Sequence, residues 1–162
     1  MYVIFLLLFS FCSFLIFWQD FKSRSIHVYL ILFFAVLPVL FHFFVQPISL
    51  WGLAFNWGFL AVIIGLSMLL IRWRNQLSFS GMFGLGDVFY LMIVSVYFDF
   101  PDFVIWLNAG LISALSMHLM ANRLSERYKK QHLIPLAGFL APIFTVALFI
   151  HIYVGPVSAY FF

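Results

Sequence analysis

Two of the five acidic side chains in this sequence could carry out acid and base chemistry. Asp20 and Asp87 each adjoin a long apolar run. The other three lie in polar connections, where we expect solvated side chains: Asp99, Asp102 and Glu126. Asp20 and Asp87 are therefore the candidates for chemistry.

Two carboxyl groups held close together can catalyse hydrolysis when one is ionised and the other carries a proton. The ionised group activates a water molecule and the protonated group protonates the leaving amine, which allows peptide hydrolysis without a metal. Mutual repulsion and desolvation keep the two groups from ionising together, so they titrate as a coupled unit. Because 67 residues separate Asp20 from Asp87 in the sequence, only the fold could bring them together.

Asp87 is the only charged residue between Gly81 and Phe98. If this segment is helical from its first residue, Asp87 lies up to about 9 Å along the span. An ionisable side chain inside a membrane costs several kcal/mol and usually faces a polar cavity or a partner, which favours a functional role. The alternative is that Asp87 lies at the membrane interface in a longer loop. Gly84 and Gly86 permit a close approach of a peptide backbone, although this pattern alone is weak evidence.

The composition excludes a water-soluble globule. Of the 162 residues, 66% are hydrophobic and 8% are charged, and the mean hydropathy is +1.15. Soluble domains are roughly one half apolar and one quarter charged. Because a membrane crossing needs about 20 apolar residues, the apolar runs predict six transmembrane helices at 1–18, 28–45, 50–71, 83–98, 103–121 and 134–154. The chain is predicted to be an all-α polytopic membrane protein, with residues 1–162 forming a single membrane-embedded domain.

The basic residues predict the orientation of these helices. All eight Lys and Arg residues fall in the first, third and fifth connections, at 19–27, 72–80 and 122–133. Basic connections favour the cytoplasm, so both termini are predicted to lie outside the cytoplasm, and Asp20 and Asp87 at the cytoplasmic edge of the bilayer. This partition explains the net charge of +3 without a nucleic-acid partner.

The sequence offers fewer residues for metal-dependent or serine-dependent catalysis. The single cysteine, Cys12, lies inside the first apolar run, and the five histidines are scattered with no HExxH pair, so no metal site is predicted. No GxSxG motif for a serine nucleophile is present. We expect no metal and no organic cofactor.

Three separated segments resemble the type 4 prepilin peptidases. That family's first catalytic aspartate typically begins a stretch of the form D-hydrophobic-basic-x-R-x-I-P-N, and the matching residues here are Asp20, Phe21, Lys22, Arg24 and Ile26. The family's second aspartate closes a GxGD motif, matched by Gly84, Gly86 and Asp87. A later segment of the form IPFGPFLA resembles residues 134–141, where the matches are Ile134, Pro135, Phe139, Leu140 and Ala141. The sequence departs from the family's pattern at His27, Val28, Phe89, Ala137 and Gly138.

The resemblance implies an aspartyl endopeptidase of the bacterial inner membrane, with Asp20 and Asp87 as catalytic residues and Gly84 and Gly86 as substrate-positioning residues. The length is similar to that of the short peptidases of tight-adherence pilus systems. The implied partners are the lipid bilayer and a prepilin or pseudopilin. Its basic leader would be cut from its apolar helix at the cytoplasmic interface, commonly after glycine.

Two other interpretations remain open. Signal peptide peptidase also uses a GxGD motif, but its family generally has more helices and a Tyr-Asp motif where this sequence has Gln19 and Asp20. A noncatalytic membrane subunit of a pilus or secretion assembly could retain the same fold while its aspartates have structural roles.

Overall fold

The part of the chain that the structure describes is built from six α-helices. The computed structural model describes residues 2–23, 25–44, 49–75, 84–124 and 136–157, and none of these residues forms a β-strand. The helices are α1 (Tyr2–Ser23), α2 (Val28–Phe44), α3 (Leu50–Asn75), α4 (Leu85–Val94), α5 (Phe100–Leu124) and α6 (Leu136–Tyr153). The all-α prediction and the helix count are confirmed. Most of the predicted third and fifth connections, together with Arg24, Gly81 and Glu126, lies outside the described residues.

Four of the six helices are long and apolar enough to cross a membrane: α1, α3, α5 and α6. Helix α2 has 17 residues and is about 26 Å long, close to the roughly 30 Å of a bilayer's hydrocarbon core. Helix α4 has only 10 residues and continues into a 3-10 turn, Ser95–Tyr97. The predicted fourth span, 83–98, is therefore a short helix with a tighter turn at its end.

Helix α6 lies at the centre of the bundle. It packs most extensively against α1 and α5 and also contacts α4. Five consecutive residues near its start, from Ala137 to Ala141, are buried. The fit against α5 is close at Gly110, where a Cβ atom would lie 2.8 Å from Cδ2 of Leu140. The start of α6 is therefore held between its neighbours.

Aromatic rings fill the space between α1, α2 and α4. Phe9 contacts Phe34 and Tyr97 with ring centroids 5.1 and 5.2 Å apart. Tyr90 stacks on Phe34 at 5.6 Å with an interplanar angle of 9°. Such ring pairs each contribute about 0.5–1.5 kcal/mol beyond the burial of their area. They fix the spacing of α1 and α4, which carry the candidate acids, and pack α2 against both.

Polar side chains of neighbouring helices hold the turn that follows α4. The buried Asn56 side chain of α3 donates two hydrogen bonds of 2.8 Å, to the carbonyl oxygens of Ser95 and Phe98. Nε2 of His42, on α2, lies 2.9 Å from the carbonyl oxygen of Val96. Because buried carbonyl groups at a helix end need donors, these contacts allow α4 to end after ten residues.

The prediction that Asp102 is a solvated loop group is wrong. Helix α5 begins at Phe100, so Asp102 lies in its first turn. Its side chain is fully buried, and its Oδ2 lies 3.3 Å from Nδ1 of His151 near the end of α6. The physical reason is that proline is tolerated in the first turn of a helix, so Pro101 does not extend the loop. Asp99, which precedes the helix, is exposed as predicted.

We expect Asp102→Ala to lower the free energy of unfolding by about 1–3 kcal/mol, because it removes a buried polar partner of His151. Thermal unfolding in detergent, followed by circular dichroism, should show a lower midpoint. Asp99→Asn is the matched control, since Asp99 is exposed directly before α5 and asparagine suits the start of a helix as well as aspartate does, and its midpoint should equal that of the parent. Equal midpoints for the two variants would contradict the buried pairing.

Candidate active site

Asp20 lies near the end of α1, on the side of that helix that faces α6. Its side chain is only 4% exposed. Its Oδ2 accepts a hydrogen bond of 2.7 Å from the backbone N–H of Gly138. The negative end of the α1 dipole disfavours a carboxylate in this last turn. The donor from α6 offsets that effect, because it places a positively polarised N–H group directly against the carboxyl oxygen.

Asp87 lies in the first turn of α4 and is partly exposed. Its Oδ1 accepts a hydrogen bond of 2.7 Å from the backbone N–H of Ala137. The helix begins after Gly84, whose extended backbone caps it and whose carbonyl oxygen accepts from the Asp87 N–H at 3.0 Å. Asp87 is thus about 3 Å along α4. The condition for the predicted depth of up to about 9 Å, a helix that runs from the first residue of 81–98, is not met, because Gly84 is extended and the helix begins at Leu85.

The first turn of α6 brings the two predicted acids together. Ala137 and Gly138 are consecutive residues, and each donates its backbone N–H to one of the two carboxyl groups. The first N–H groups of a helix have no partner within it, and the positive end of the helix dipole favours acidic groups. Asp20 and Asp87 are close enough to interact electrostatically. The fold therefore brings Asp20 and Asp87 together, although they are far apart in the sequence.

The two predicted glycines face different neighbours. A Cβ atom at Gly84 would lie 2.9 Å from Oδ2 of Asp87, so glycine allows the carboxyl group its position. A Cβ atom at Gly86 would meet the side chain of Ile26 at 3.3 Å instead. Gly84 therefore borders the acid, whereas Gly86 allows α4 to pack against the chain before α2. Contact of either glycine with a substrate remains a prediction.

Sequence reasoning missed the role of Ala137 and Gly138. The resemblance drew attention to residues 134–141, but it assigned no function to them. Ile134 and Pro135 lie outside the described residues. A backbone N–H is common to every residue except proline, so a donor of this kind leaves no residue type to recognise. The available signal was the small size of Ala137 and Gly138 at the start of an apolar run.

This arrangement can carry out acid and base chemistry. Two interacting carboxyl groups resist ionising together, so one can accept a proton while the other donates one. Asp20 is buried and Asp87 is partly exposed, so the pair is reached from the side of α4. Among the residues that the structure describes, no three His, Cys, Asp or Glu side chains converge to form a candidate metal site.

The fold and the site define a helical membrane protein that holds two carboxyl groups against the start of one helix. A family model supports a more specific assignment: that of the type IV leader peptidase family matches residues 6–122, and the chain belongs to this family. The matched range includes Asp20 and Asp87, whereas α6 lies beyond it. Comparisons with the curated proteins and with the solved structures found no match.

A disulfide tests the contact between α1 and α6 without an activity assay. We expect Asp20→Cys combined with Gly138→Cys, in a Cys12→Ala background, to form a disulfide under mild oxidation. A Cβ atom at Gly138 would lie 3.2 Å from that of Asp20, close to the separation of about 3.5–4.5 Å in disulfides. Mass spectrometry of proteolytic fragments should find the two helices linked.

The control pairs Asp20→Cys with Gly58→Cys, because a Cβ atom at Gly58 has no neighbour within 4 Å. This second pair should remain reduced under the same conditions. A linked control, or an unlinked first pair, would show that the end of α1 does not meet the start of α6 as described.

Proposed function

We propose that this chain is an aspartyl endopeptidase that removes the basic leader from type IV prepilins or pseudopilins. The observation that supports the proposal is the convergence of Asp20 and Asp87 on two consecutive N–H groups of α6. Membership of the type IV leader peptidase family supports a peptidase function in general. The aspartyl mechanism and the substrate are the parts that we propose.

In the proposed reaction the two carboxyl groups have complementary roles. The ionised group takes a proton from a water molecule, whose oxygen attacks the carbonyl carbon of the scissile peptide bond. The protonated group then gives its proton to the leaving amine as the carbon–nitrogen bond breaks. After one turnover the pair has gained one proton and lost one, so it again holds a single proton, now on the other carboxyl group, and no metal or organic cofactor takes part.

We propose that cleavage occurs at the cytoplasmic interface of the bacterial inner membrane. The end of α1 and the beginnings of α4 and α6 lie together, as helices that cross the membrane in alternating directions require. Lys22 and the other basic residues adjoin this end of the bundle in the sequence, and basic connections favour the cytoplasm. Both termini would then lie outside the cytoplasm.

The substrate would present a short extended junction to the acids. A helical backbone uses its N–H and C=O groups internally and hides its peptide bonds, so the bond to be cut must leave the helix at the depth of the carboxyl groups. A basic leader before the junction and an apolar helix after it would place that bond at the interface. Gly84, which borders Asp87, would leave room there for the substrate backbone, whereas Gly86 would position the substrate indirectly, by allowing α4 to pack against Ile26.

We expect Asp20→Asn and Asp87→Asn each to lower the rate of leader cleavage at least about a hundredfold, because either change removes one member of the acid and base pair. The measurement is cleavage of a purified prepilin by each purified variant in lipid vesicles. Asp99→Asn is the matched control, since this exposed side chain lies at the far end of α4.

The control should cleave at the rate of the parent. Full activity in either active-site variant would exclude the aspartyl mechanism. A parent protein that cleaves no prepilin, although it is folded and inserted, would favour the noncatalytic membrane subunit instead.

A further inference from the structure

The first turn of α6 contacts both acids through backbone groups alone. Oδ1 of Asp87 and Oδ2 of Asp20 accept their bonds from Ala137 and Gly138, at 2.7 Å each. We infer that Ala137 and Gly138 are positioning residues, which hold the two carboxyl groups at the separation and rotation that peptide hydrolysis needs. This inference rests on the proposed function and assigns a third segment of the chain to the same site.

The two donors form a unit of fixed dimensions. They belong to adjacent residues of one helix, so only the Cα and carbonyl carbon of Ala137 separate the two nitrogen atoms, and the helical backbone fixes the distance between them. Each bond is 2.7 Å long, at the short end of the range for an N–H···O contact. The carboxyl groups come from α1 and α4, which are far apart in the sequence, yet a single helical turn sets their relative position.

This turn is also rigidly supported. Ala137, Gly138 and Leu140 are all buried. Leu140 fits against Gly110 of α5, where no side chain larger than hydrogen fits without a shift. Close packing of this kind leaves little room for movement. Groups mounted on such an element keep the geometry that catalysis requires better than groups on a loop.

Gly138 is specified by the carboxyl group that it binds. A Cβ atom there would lie 3.0 Å from Oδ2 and 3.2 Å from Cβ of Asp20, so any other residue must displace the acid or the helix. The backbone dihedral angles at this position are helical, so the requirement is for space and not for an unusual conformation. The missing side chain allows the N–H of Gly138 to reach Asp20.

Replacement of the Gly138 peptide nitrogen by oxygen tests the inference directly. A backbone ester, made by incorporating glycolic acid at position 138, removes the N–H donor and adds no side chain. The probe is a synthetic peptide with a Lys-containing leader, a glycine junction and an apolar helix, reconstituted with the full-length protein in phosphatidylethanolamine and phosphatidylglycerol vesicles. We expect kcat to fall about 10-fold to 100-fold with little change in KM, and the acid limb of the pH–rate profile to move.

A backbone ester at Phe144 is the matched control, because it removes one N–H donor from the interior of the same helix. Its kcat and pH–rate profile should match those of the parent. An unchanged kcat in the ester at position 138, or a change confined to KM, would overturn the inference. If Asp20→Asn were inactive in that case, the proposed function would stand without the inference about Ala137 and Gly138. A parent protein that leaves the probe intact would refute the proposed function itself.

Gly138→Ala gives a second test that needs no backbone chemistry. It should lower kcat by moving Asp20, whereas Asp102→Ala, which removes the contact with His151 near the other end of α6, should lower the midpoint of thermal unfolding and leave kcat near that of the parent. Gly58→Ala, in open space within α3, should leave kcat unchanged and raise the unfolding midpoint slightly, because alanine favours a helix over glycine. Parallel losses of kcat in the first two variants, in proportion to their unfolding midpoints, would assign Gly138 a structural role alone and overturn the inference.

Discussion

The bond that each acid makes to the first turn of α6 is the interaction on which the rest of this structure depends. A carboxyl group at the edge of an apolar bundle loses hydration, and an unpaired buried charge is very costly. Two such groups side by side add their mutual repulsion. The consecutive N–H groups of Ala137 and Gly138 meet this cost for Asp87 and Asp20 in turn. Because they are the unpaired donors of a helix start, they supply partners without adding a charge.

The arrangement of the helices follows from this requirement. The end of α1 and the beginning of α4 must both reach the beginning of α6, so α6 occupies the centre of the bundle. Helix α4 begins at the acid and ends after ten residues. The side chains of Asn56 and His42 lie against the carbonyl groups of the turn that follows. The far end of α6 meets another acid, Asp102, through His151. Helix α6 therefore contacts acidic side chains near both of its ends.

The sequence was sufficient to predict the features that depend on side-chain type. Apolar runs predicted six helices, and the contrast between Asp20 or Asp87 and the remaining acids selected the two that the fold brings together. The sequence could not predict which backbone groups would face them, since an N–H group is present at nearly every residue. Asp102 was misjudged for a similar reason. Its burial depends on His151, which lies 49 residues away in the sequence and becomes a neighbour only when α5 packs against α6.

The depth of Asp87 illustrates a further limit. The hydropathy pattern predicted one span over residues 83–98. The hydropathy of leucine, isoleucine and phenylalanine is the same inside a helix and outside it, so the pattern does not reveal where a helix starts. Helix α4 starts after Gly84, whose backbone is extended and caps the helix. A glycine signals that such a change is permitted without indicating where it occurs. Helix boundaries near glycines therefore required the structure.

The central claim is that Asp20 and Asp87 act as one unit, and a double-mutant cycle measures this most directly. The residual cleavage rates of Asp20→Asn, Asp87→Asn and the variant with both changes would be compared with that of the parent under the same conditions. Groups that act as a unit show strongly non-additive effects, so the account predicts that the double variant is no slower than the slower single variant. Losses that multiply, with the double variant slower by the product of the two single effects, would show that the two acids act independently and would contradict the account.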